Sequence, residues 1–458
     1  MSHQSSRGDA IVRALRQRFR GTVTGPQDAT YDAARRIWNG AIDHKPLAIA
    51  TCADAEDVPQ VLRVAAEAGV PVTVRGGGHN VAGRAVRDGA VVVDLSRLRA
   101  VDVNPKARVA SVQGGALWRD FDAATSAHGL ATTGGLISST GVGGLTLGGG
   151  AGWLMRRHGL AADNLLAASV VLADGRAVRA SADEHADLFW GLRGGAGGLG
   201  VVTGFEFRLH PLGNVLAGLV IYPAAEARAV LGKFTDYAHT APDEFCGLAA
   251  LINAPPFPFL EAKWHFKPVV ALALCWCGDL GAGENALTSL RRTGTVLADI
   301  IGPMPYPAWQ QAVDPSAPPG RFNYWKSANF SAVPAAVIDA LADAHAQLPT
   351  PFVELHVQHL GGAVGRVNAA DSAYPNRDAQ FFINIIGSAA TAEDYPRMRD
   401  WTRALHARLS QHALATAQPN FMDADDPGAT RAFGTDRARR LQELRAKYAP
   451  PGFFVGTL

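Results

Sequence analysis

The sequence predicts an α+β protein of two domains, one rich in glycine loops and one built on a mixed or antiparallel sheet with helices. Its 458 residues exceed what one hydrophobic core usually holds, and 48% of them are apolar, enough for two packed interiors. The 49 glycines are concentrated between positions 75 and 204 and become sparse afterwards. We therefore expect the architecture to change near residue 212.

The first 212 residues alternate between short strand patterns and helix patterns. One expected helix, over 55–68, places Val58, Val61, Leu62 and Ala65 on one face. The other expected helices cover 9–22 and 117–128, and 189–198 is expected to hold a helix and a second glycine cluster. Strands are expected at 46–50, 70–74, 91–95, 107–112, 167–172 and 200–207.

Beyond residue 212, apolar or alternating strand patterns are separated by helical stretches. Strands are expected at 216–221, 268–277, 352–358 and 380–386, and helices at 224–238, 284–298, 335–346 and 394–410. A last amphipathic helix over 435–449 has Thr435 as its expected N-cap and ends before two prolines.

Composition argues against several classes of partner. Lys and Arg total 43 against 41 Asp and Glu, with no long run of one sign, so we expect no nucleic-acid partner. No segment is apolar enough to span a bilayer, so no membrane partner is expected either. The polar first residues lack a hydrophobic run, which favours the cytoplasm. A small-molecule ligand remains, and the oligomeric state is left open.

Four cysteines in so long a chain do not form a disulfide framework. Cys275 and Cys277 lie in an apolar strand pattern with no matching Cys/His pair nearby. We interpret them as buried structural thiols and expect no metal site.

The most informative segment is the run from Val74 to Asn80, in which Arg75, three glycines and His79 follow one another. Adjacent glycines allow positive φ and let backbone N–H groups converge on one centre. Such a loop suits a pyrophosphate, with Arg75 as an additional cation. His79 is then either a packing residue or a covalent anchor.

Further glycine clusters follow at 141–152 and 194–200, so a large ligand with several polar contacts is expected. None has the Gly-Lys-Ser/Thr of a Walker loop. The pattern Gly195-x-Gly197-x-x-Gly200 matches a dinucleotide fingerprint only formally, because it follows a helix. Glycine-rich turns without a ligand are the alternative interpretation.

Taken in order, these motifs resemble the FAD-binding domain of the vanillyl-alcohol oxidase and p-cresol methylhydroxylase superfamily, in its berberine-bridge-enzyme-like, hydroxynicotine-oxidase-like branch. The resemblance covers at least residues 31–211. It rests on Arg36-x-Trp38-Asn39, Pro46, Asp57-Val58, the 75–80 run, Asp94-Leu95, the 141–150 cluster, 158–164, Leu188-Phe189-Trp190 and 200–203.

The resemblance implies a discontinuous FAD-binding domain, 1–212 plus a returning C-terminal segment 415–458, around a substrate domain 213–414. It also implies that His79 is bonded to the 8α carbon of the flavin. The stretch 137–140 has no cysteine, so a single covalent link is expected. The expected cofactor-binding residues are Val74, Arg75, Gly76, Gly77, Gly78, His79, Asn80, Gly83, Gly114, Ser139, Thr140, Gly141, Gly143, Gly144, Leu145, Gly148, Gly149, Gly150, Asp163, Asn164, Gly200, Val201 and Val202.

On the substrate side, the pattern over 351–359 alternates, so Glu354, His356 and Gln358 share one strand face. That face either lines a wet pocket with an acid or base in it, or is exposed to solvent. Family-like motifs around 323–327 and 373–377 add Tyr324 and Tyr374. These five residues are the expected catalytic candidates.

The C-terminal segment departs from the family pattern. Relatives usually have Tyr-x-Asn where this chain reads Gln418-Pro419-Asn420, so a tyrosine that is a candidate base is absent. The later motif is also altered, at 448–454. FAD binding remains expected, but the usual base does not.

The resemblance therefore implies an FAD-dependent oxidase. It would transfer hydride from a C–H next to a hydroxyl or amine of a small molecule to covalent flavin, with O2 as acceptor. The alternatives are a flavin dehydrogenase with another acceptor, or a non-redox binding role with a structural flavin. The sequence leaves the substrate open, because one scaffold hosts many functions.

Overall fold

A short parallel sheet near the N-terminus leads directly into the first glycine loop. The structure is a computed structural model that describes residues 3–426 and 428–457. The strand order of this sheet is β1-β2-β4-β3, and β2, β4 and β3 are parallel. Its elements are α1 (His3–Arg18), β1 (Thr22–Thr24), α2 (Tyr31–Ala34), β2 (Ala48–Thr51), α3 (Val58–Glu67), β3 (Val72–Arg75) and β4 (Val91–Asp94).

A second, antiparallel sheet of five strands packs behind it in the order β5-β6-β10-β8-β9. Its elements, together with the short pair β7 and β11, are β5 (Val101–Asn104), β6 (Val109–Gln113), α4 (Trp118–Ser126), β7 (Leu130–Ala131), α5 (Val142–Leu147), α6 (Met155–His158), β8 (Leu165–Val171), β9 (Ala177–Ser181), α7 (Ala186–Leu192), β10 (Val201–Arg208) and β11 (His210–Pro211).

The remainder forms an eight-stranded antiparallel sheet in the order β15-β12-β14-β13-β18-β19-β17, with β16 beside β12. Its strands are β12 (Asn214–Pro223), β13 (Phe245–Asn253), β14 (Pro268–Trp276), β15 (Ala298–Asp299), β16 (Gly302–Pro305), β17 (Phe322–Phe330), β18 (Glu354–His359) and β19 (Phe381–Ala389). The helices are α8 (Ala227–Thr240), α9 (Leu280–Arg291), α10 (Tyr306–Ala312), α11 (Ala335–His345), α12 (Ala363–Arg366), α13 (Tyr395–Leu409), α14 (Gly428–Phe433) and α15 (Thr435–Tyr448).

The large sheet has two different faces because side chains alternate along each strand. One face packs on α8, α9, α11 and α13 in a core that contains Val220, Leu251, Leu272, Leu355 and Ile383. The opposite face turns toward the two smaller sheets. The fold class expected from the sequence, two-domain α+β with an antiparallel substrate-side sheet, is confirmed.

The C-terminal segment returns to the first part of the chain. Leu441 and Leu444 of α15 pack in the same core as Leu188 on α7. The backbone of Val72 donates to Phe453 and accepts from Val455, which extends the first sheet by one bridge. These contacts support the domain boundaries at 212 and 414, which stay a prediction.

Several local expectations were wrong, among them the helix over 284–298, which ends at Arg291, and strand β17, which was not expected. Residues 141–152 were expected to form a loop, but Val142–Leu147 form helix α5. Strand β13 was not expected, because its residues are apolar without alternation and include a glycine. The residue before the last helix is Gly434, with φ of +73°, so Thr435 is not its N-cap.

The cysteines are buried free thiols, as expected for Cys275 and Cys277. Burial raises the pKa of the Cys246 thiol to about 12, so it stays protonated at neutral pH. In the part of the chain that the structure describes, no helix is long and apolar enough to cross a membrane.

A buried carboxyl group links α4 to α10. The Gln310 side-chain amide donates to Asp122 at 3.2 Å, and both side chains are almost fully buried. Burial raises the pKa of Asp122 to about 7. The folded protein therefore holds a proton at Asp122 that the unfolded chain releases near pH 4.

We predict that Asp122→Asn makes stability less dependent on pH. Because the pKa of Asp122 is raised in the folded state, its protonation stabilises the folded protein. This stabilisation is complete below the unfolded-state pKa and is lost as the pH rises through about 7. It amounts to about 1.4 kcal/mol per unit of pKa difference. The amide cannot ionise, so the variant gains melting temperature relative to the parent at pH 8 but not at pH 4. Calorimetry at both values checks this, with exposed Asp102→Asn as control. An equal difference at both pH values would contradict it.

Candidate functional site

The loop after β3 approaches two other glycine segments backbone to backbone. A Cβ on Gly77 would lie 2.5 Å from the nitrogen of Gly141, and one on Gly76 would lie 2.9 Å from the oxygen of Gly114. Gly78 has φ of +63°, which favours glycine. Side chains are therefore excluded here by close packing as well as by backbone conformation.

Helix α5 begins at this contact. Gly141 precedes it, and Gly143 and Gly144 form its first turn on the same surface. A Cβ on Gly144 would meet no atom within 4 Å. The N–H groups of Gly143 and Gly144 in this first turn add to those of the loop.

Between these loops and the large sheet lies a cavity of about 770 Å³. Fifteen of the expected cofactor-binding residues line it, and they come from β3, β10, α5 and the loops between. They are Val74, Gly76, Gly77, Gly78, His79, Asn80, Gly114, Thr140, Gly141, Gly143, Gly144, Leu145, Gly148, Gly200 and Val202.

Arg75 does not line the cavity, contrary to the expectation that its charge faces a ligand. Its guanidinium pairs with Asp94 on the neighbouring strand, with Nη2 at 2.6 Å and Nε at 3.0 Å from the carboxylate. Burial opposes ionisation of Asp94, but hydrogen bonds from Arg75 outweigh it and lower the pKa of that carboxyl. Arg75 is therefore a structural ion-pair partner.

Seven other expected residues also lie outside the cavity lining, and two of them make hydrogen bonds to the protein around the cavity. Asp163 accepts two hydrogen bonds from Arg377, at 2.6 and 2.7 Å. The Asn164 amide donates to the backbone oxygens of His158 and Leu160. The remaining five that are absent from the lining are Gly83, Ser139, Gly149, Gly150 and Val201.

His79 lines the cavity with its ring held in a fixed plane. Trp38 stacks on it with the ring centroids 4.4 Å apart and the planes 14° from parallel. Its Nε2 atom is buried and has no hydrogen-bond partner among the described residues. Burial lowers the pKa of His79 to about 4. The imidazole is therefore neutral at pH 7 and has a lone pair available.

Across the cavity, Glu354, His356 and Gln358 project from β18 on one face, as the alternation predicted. This face lines the cavity, so it is the wall of a pocket and not a solvent-exposed face of the sheet. Glu354 lies 2.8 Å from Nε2 of His356. A carboxylate accepts hydrogen bonds, so Nε2 of His356 is the donor of this contact.

Tyr324 and Tyr374 are not in the cavity, so the expectation that they are catalytic is corrected. Tyr324 lies on the opposite face of β17, where its hydroxyl donates to Asp425 at 2.8 Å. Tyr374 is fully buried, and its hydroxyl donates to Gln418 at 2.8 Å. Burial raises the pKa of each phenol to about 12.

Several lining residues were missed by the sequence analysis. Asn384 on β19 lies directly beside His356, and the alternation of 382, 384 and 386 could have identified it. Trp325 lines the cavity because it alternates with Tyr324. Asn420 also lines it and donates to the oxygen of Leu145 at 3.2 Å. No local pattern places that contact, since its partners are 275 residues apart.

Comparisons with known proteins agree with this geometry. Residues 46–181 match the family described as FAD binding domain. The chain is 29% identical over 413 residues to (R)-6-hydroxynicotine oxidase of Paenarthrobacter nicotinovorans, covering 87% of this chain and 86% of that one. It is 27% identical over 460 residues to an FAD-linked oxidoreductase of Dictyostelium discoideum, covering 99% and 97%.

Solved structures give the same picture. The crystal structure of 6-hydroxy-D-nicotine oxidase from Arthrobacter nicotinovorans superposes with a TM-score of 0.84 at 26% identity, over 96% of this chain and 97% of that one. The BBE-like 1 protein of Physcomitrella patens has a TM-score of 0.87 at 20% identity, with 97% of both chains covered, and shares the fold.

We predict that Arg75→Met destabilises the protein itself. Removing one partner of a buried ion pair costs about 3–5 kcal/mol, because Asp94 is left unpaired. Urea unfolding measures this loss, with exposed Arg63→Met on α3 as a matched control. The double variant Arg75→Met/Asp94→Asn recovers part of the stability. If the stability were unchanged and cofactor binding were weakened, Arg75 would be a ligand contact and not a structural ion-pair partner.

Proposed function

We propose that this chain, which belongs to the FAD-linked oxidoreductases of the vanillyl-alcohol oxidase and p-cresol methylhydroxylase superfamily, is an oxidase that carries FAD on His79 and uses His356 as its base. Its substrate is a small molecule with a C–H next to a hydroxyl or amine, and O2 is the acceptor. One observation carries this proposal. A single cavity has the glycine loops and His79 on one wall and the Glu354–His356 pair on the other.

The residues present fit FAD. At Gly76, Gly77 and Gly141 a Cβ would collide with the backbone of the facing glycine segment, so bare backbone borders the cavity there. Backbone N–H groups suit an anionic pyrophosphate. Gly144 and Gly197 border the cavity with no atom where a Cβ would stand. Bound FAD would supply a two-electron oxidant for the substrate and an electron donor to O2.

His79 supports a covalent link. A nucleophilic imidazole must be neutral, and burial keeps it so at pH 7. Trp38 fixes the ring plane, and among the described residues Nε2 has no hydrogen-bond partner that a bond would displace. The link would replace one imidazole N–H bond and one C–H bond of the 8α carbon by a single C–N bond, and O2 would take up the two hydrogens as hydrogen peroxide. No cysteine occurs in the stretch 137–140, so the proposal includes one link only.

His356 is proposed to accept the substrate proton at Nδ1. Glu354 accepts the hydrogen bond from Nε2, which fixes the tautomer and compensates the positive charge that forms on the ring. Glu354 thus acts through His356 as a positioning residue. The oxidation breaks one O–H or N–H bond and one C–H bond, and it forms the C=O or C=N bond.

We predict that acid precipitation of the purified protein gives a yellow pellet whose intact mass exceeds that of the polypeptide by one FAD. His79→Ala releases the flavin to the supernatant, because the remaining cradle binds it without a bond. His412→Ala, an exposed histidine, is the control. A colourless pellet from the parent protein, with free FAD in solution, would remove the covalent role of His79.

We predict that His356→Gln lowers kcat/KM by about 100-fold or more, the usual effect of losing a general base. Glu354→Gln causes a smaller loss, since the amide oxygen still accepts from Nε2. Because the two residues act as one unit, the double variant is no slower than His356→Gln. Steady-state kinetics on each substrate found by screening measures this, with His412→Gln as control. Additive losses would contradict the paired role.

A further inference from the structure

The sheet wall of the cavity is divided into an apolar half and a polar half. On β12, β14 and β13, every described side chain that lines the cavity is apolar. These are Leu219, Leu248, Ala250, Ile252, Ala271 and Ala273. On β18, β19 and β17, the lining combines the apolar side chains of Trp325, Phe382 and Ile386 with hydrogen-bonding groups, which we call the polar half. These groups are at Glu354, His356, Gln358, Asn384, Ser388 and Asn323. The boundary is sharp, because Ala250 is paired directly with His356.

The apolar half is extended by a proline-rich segment, residues 255–259, that borders the cavity. Within it, Phe257 and Phe259 stack with their ring centroids 4.9 Å apart. Phe259 and Ile300 remain 36% exposed, although both are large apolar side chains. A flat apolar surface that is left partly exposed beside a cavity is a surface that a ligand can cover.

The polar half holds two buried groups with unused hydrogen-bonding capacity. Gln358 and Asn384 are 2% and 3% exposed, and both line the cavity. Neither side-chain amide makes a hydrogen bond among the described residues. The Gln358 Nε2 and Asn384 Oδ1 atoms are fully buried, so the Gln358 Oε1 acceptor and the Asn384 Nδ2 donor remain for a ligand. Buried polar groups are normally paired, so this pair points to a ligand group that both accepts and donates. A hydroxyl group does both.

We infer that the substrate is an aromatic or similarly flat apolar molecule that carries one hydroxyl next to the reacting carbon, and that it is not a carbohydrate. This inference rests on the proposed function and specifies its substrate class. The hydroxyl lies among His356, Gln358 and Asn384, and the apolar body covers β13, β14 and the stacked phenylalanines. A sugar has hydroxyls on most carbons and would place several of them, unpaired, against the apolar half.

The test uses probes that bind to the holoenzyme but lack an oxidisable carbinol C–H. The tertiary alcohol 2-phenylpropan-2-ol is compared by titration calorimetry with isopropylbenzene, which lacks the hydroxyl, and with methyl β-D-glucoside. We expect the aryl alcohol to bind about tenfold or more tightly than either of the others. Equal or tighter binding of the glucoside, or no advantage from the hydroxyl, would overturn the inference.

Two variants locate the contacts. Gln358→Leu should reduce the preference for the alcohol over isopropylbenzene. Phe259→Ser should weaken binding of both aryl probes, whereas Phe266→Ser, a more exposed phenylalanine outside the cavity, should not. An unchanged affinity in Phe259→Ser overturns the placement of the apolar body. Because these probes are not turned over, a failed oxidase assay alongside selective binding would reject the proposed function and not the ligand class.

Discussion

The whole site depends on the close approach of three glycine segments. The loop after β3 touches Gly114 and Gly141 at distances that leave no room for a Cβ. This contact joins the parallel sheet, the antiparallel sheet and the start of α5, so all three border one cavity. It also fixes the position of His79, which directly follows the turn at Gly78. The cofactor site is thus built from backbone, and the one side chain that matters most in it is a neutral histidine.

The opposite wall depends on a different constraint, the two-residue period of a strand. Along β18, odd-numbered residues enter the helix-covered core, and even-numbered ones line the cavity. The same period explains why Trp325 lines the cavity and Tyr324 does not. A sheet that is covered on one side therefore presents a continuous row of alternate residues on the other side, and its chemistry can change from strand to strand. In this wall, β12, β13 and β14 present apolar side chains, and β17, β18 and β19 also present hydrogen-bonding ones.

Local pattern was sufficient for most elements and for the cavity-lining glycines, because turns, periods and glycine runs are short-range signals. It failed where long-range pairing decides the role of a side chain. Arg75 looks like a phosphate ligand in sequence, but Asp94 on the adjacent strand takes its charge. Tyr374 looks like a pocket phenol, yet Gln418 binds it in the core. Asn420 joins the cavity only through contacts between distant parts of the chain.

The central claim is that the two walls together perform an oxidation by flavin with O2 as acceptor. Rapid mixing of the holoenzyme with a panel of secondary aryl alcohols and amines, first without oxygen and then with it, tests this claim directly. The account predicts that at least one member bleaches the flavin, and that oxygen restores the yellow colour quickly while one hydrogen peroxide forms per flavin. A flavin that stays oxidised throughout, or that oxygen does not reoxidise, would contradict it.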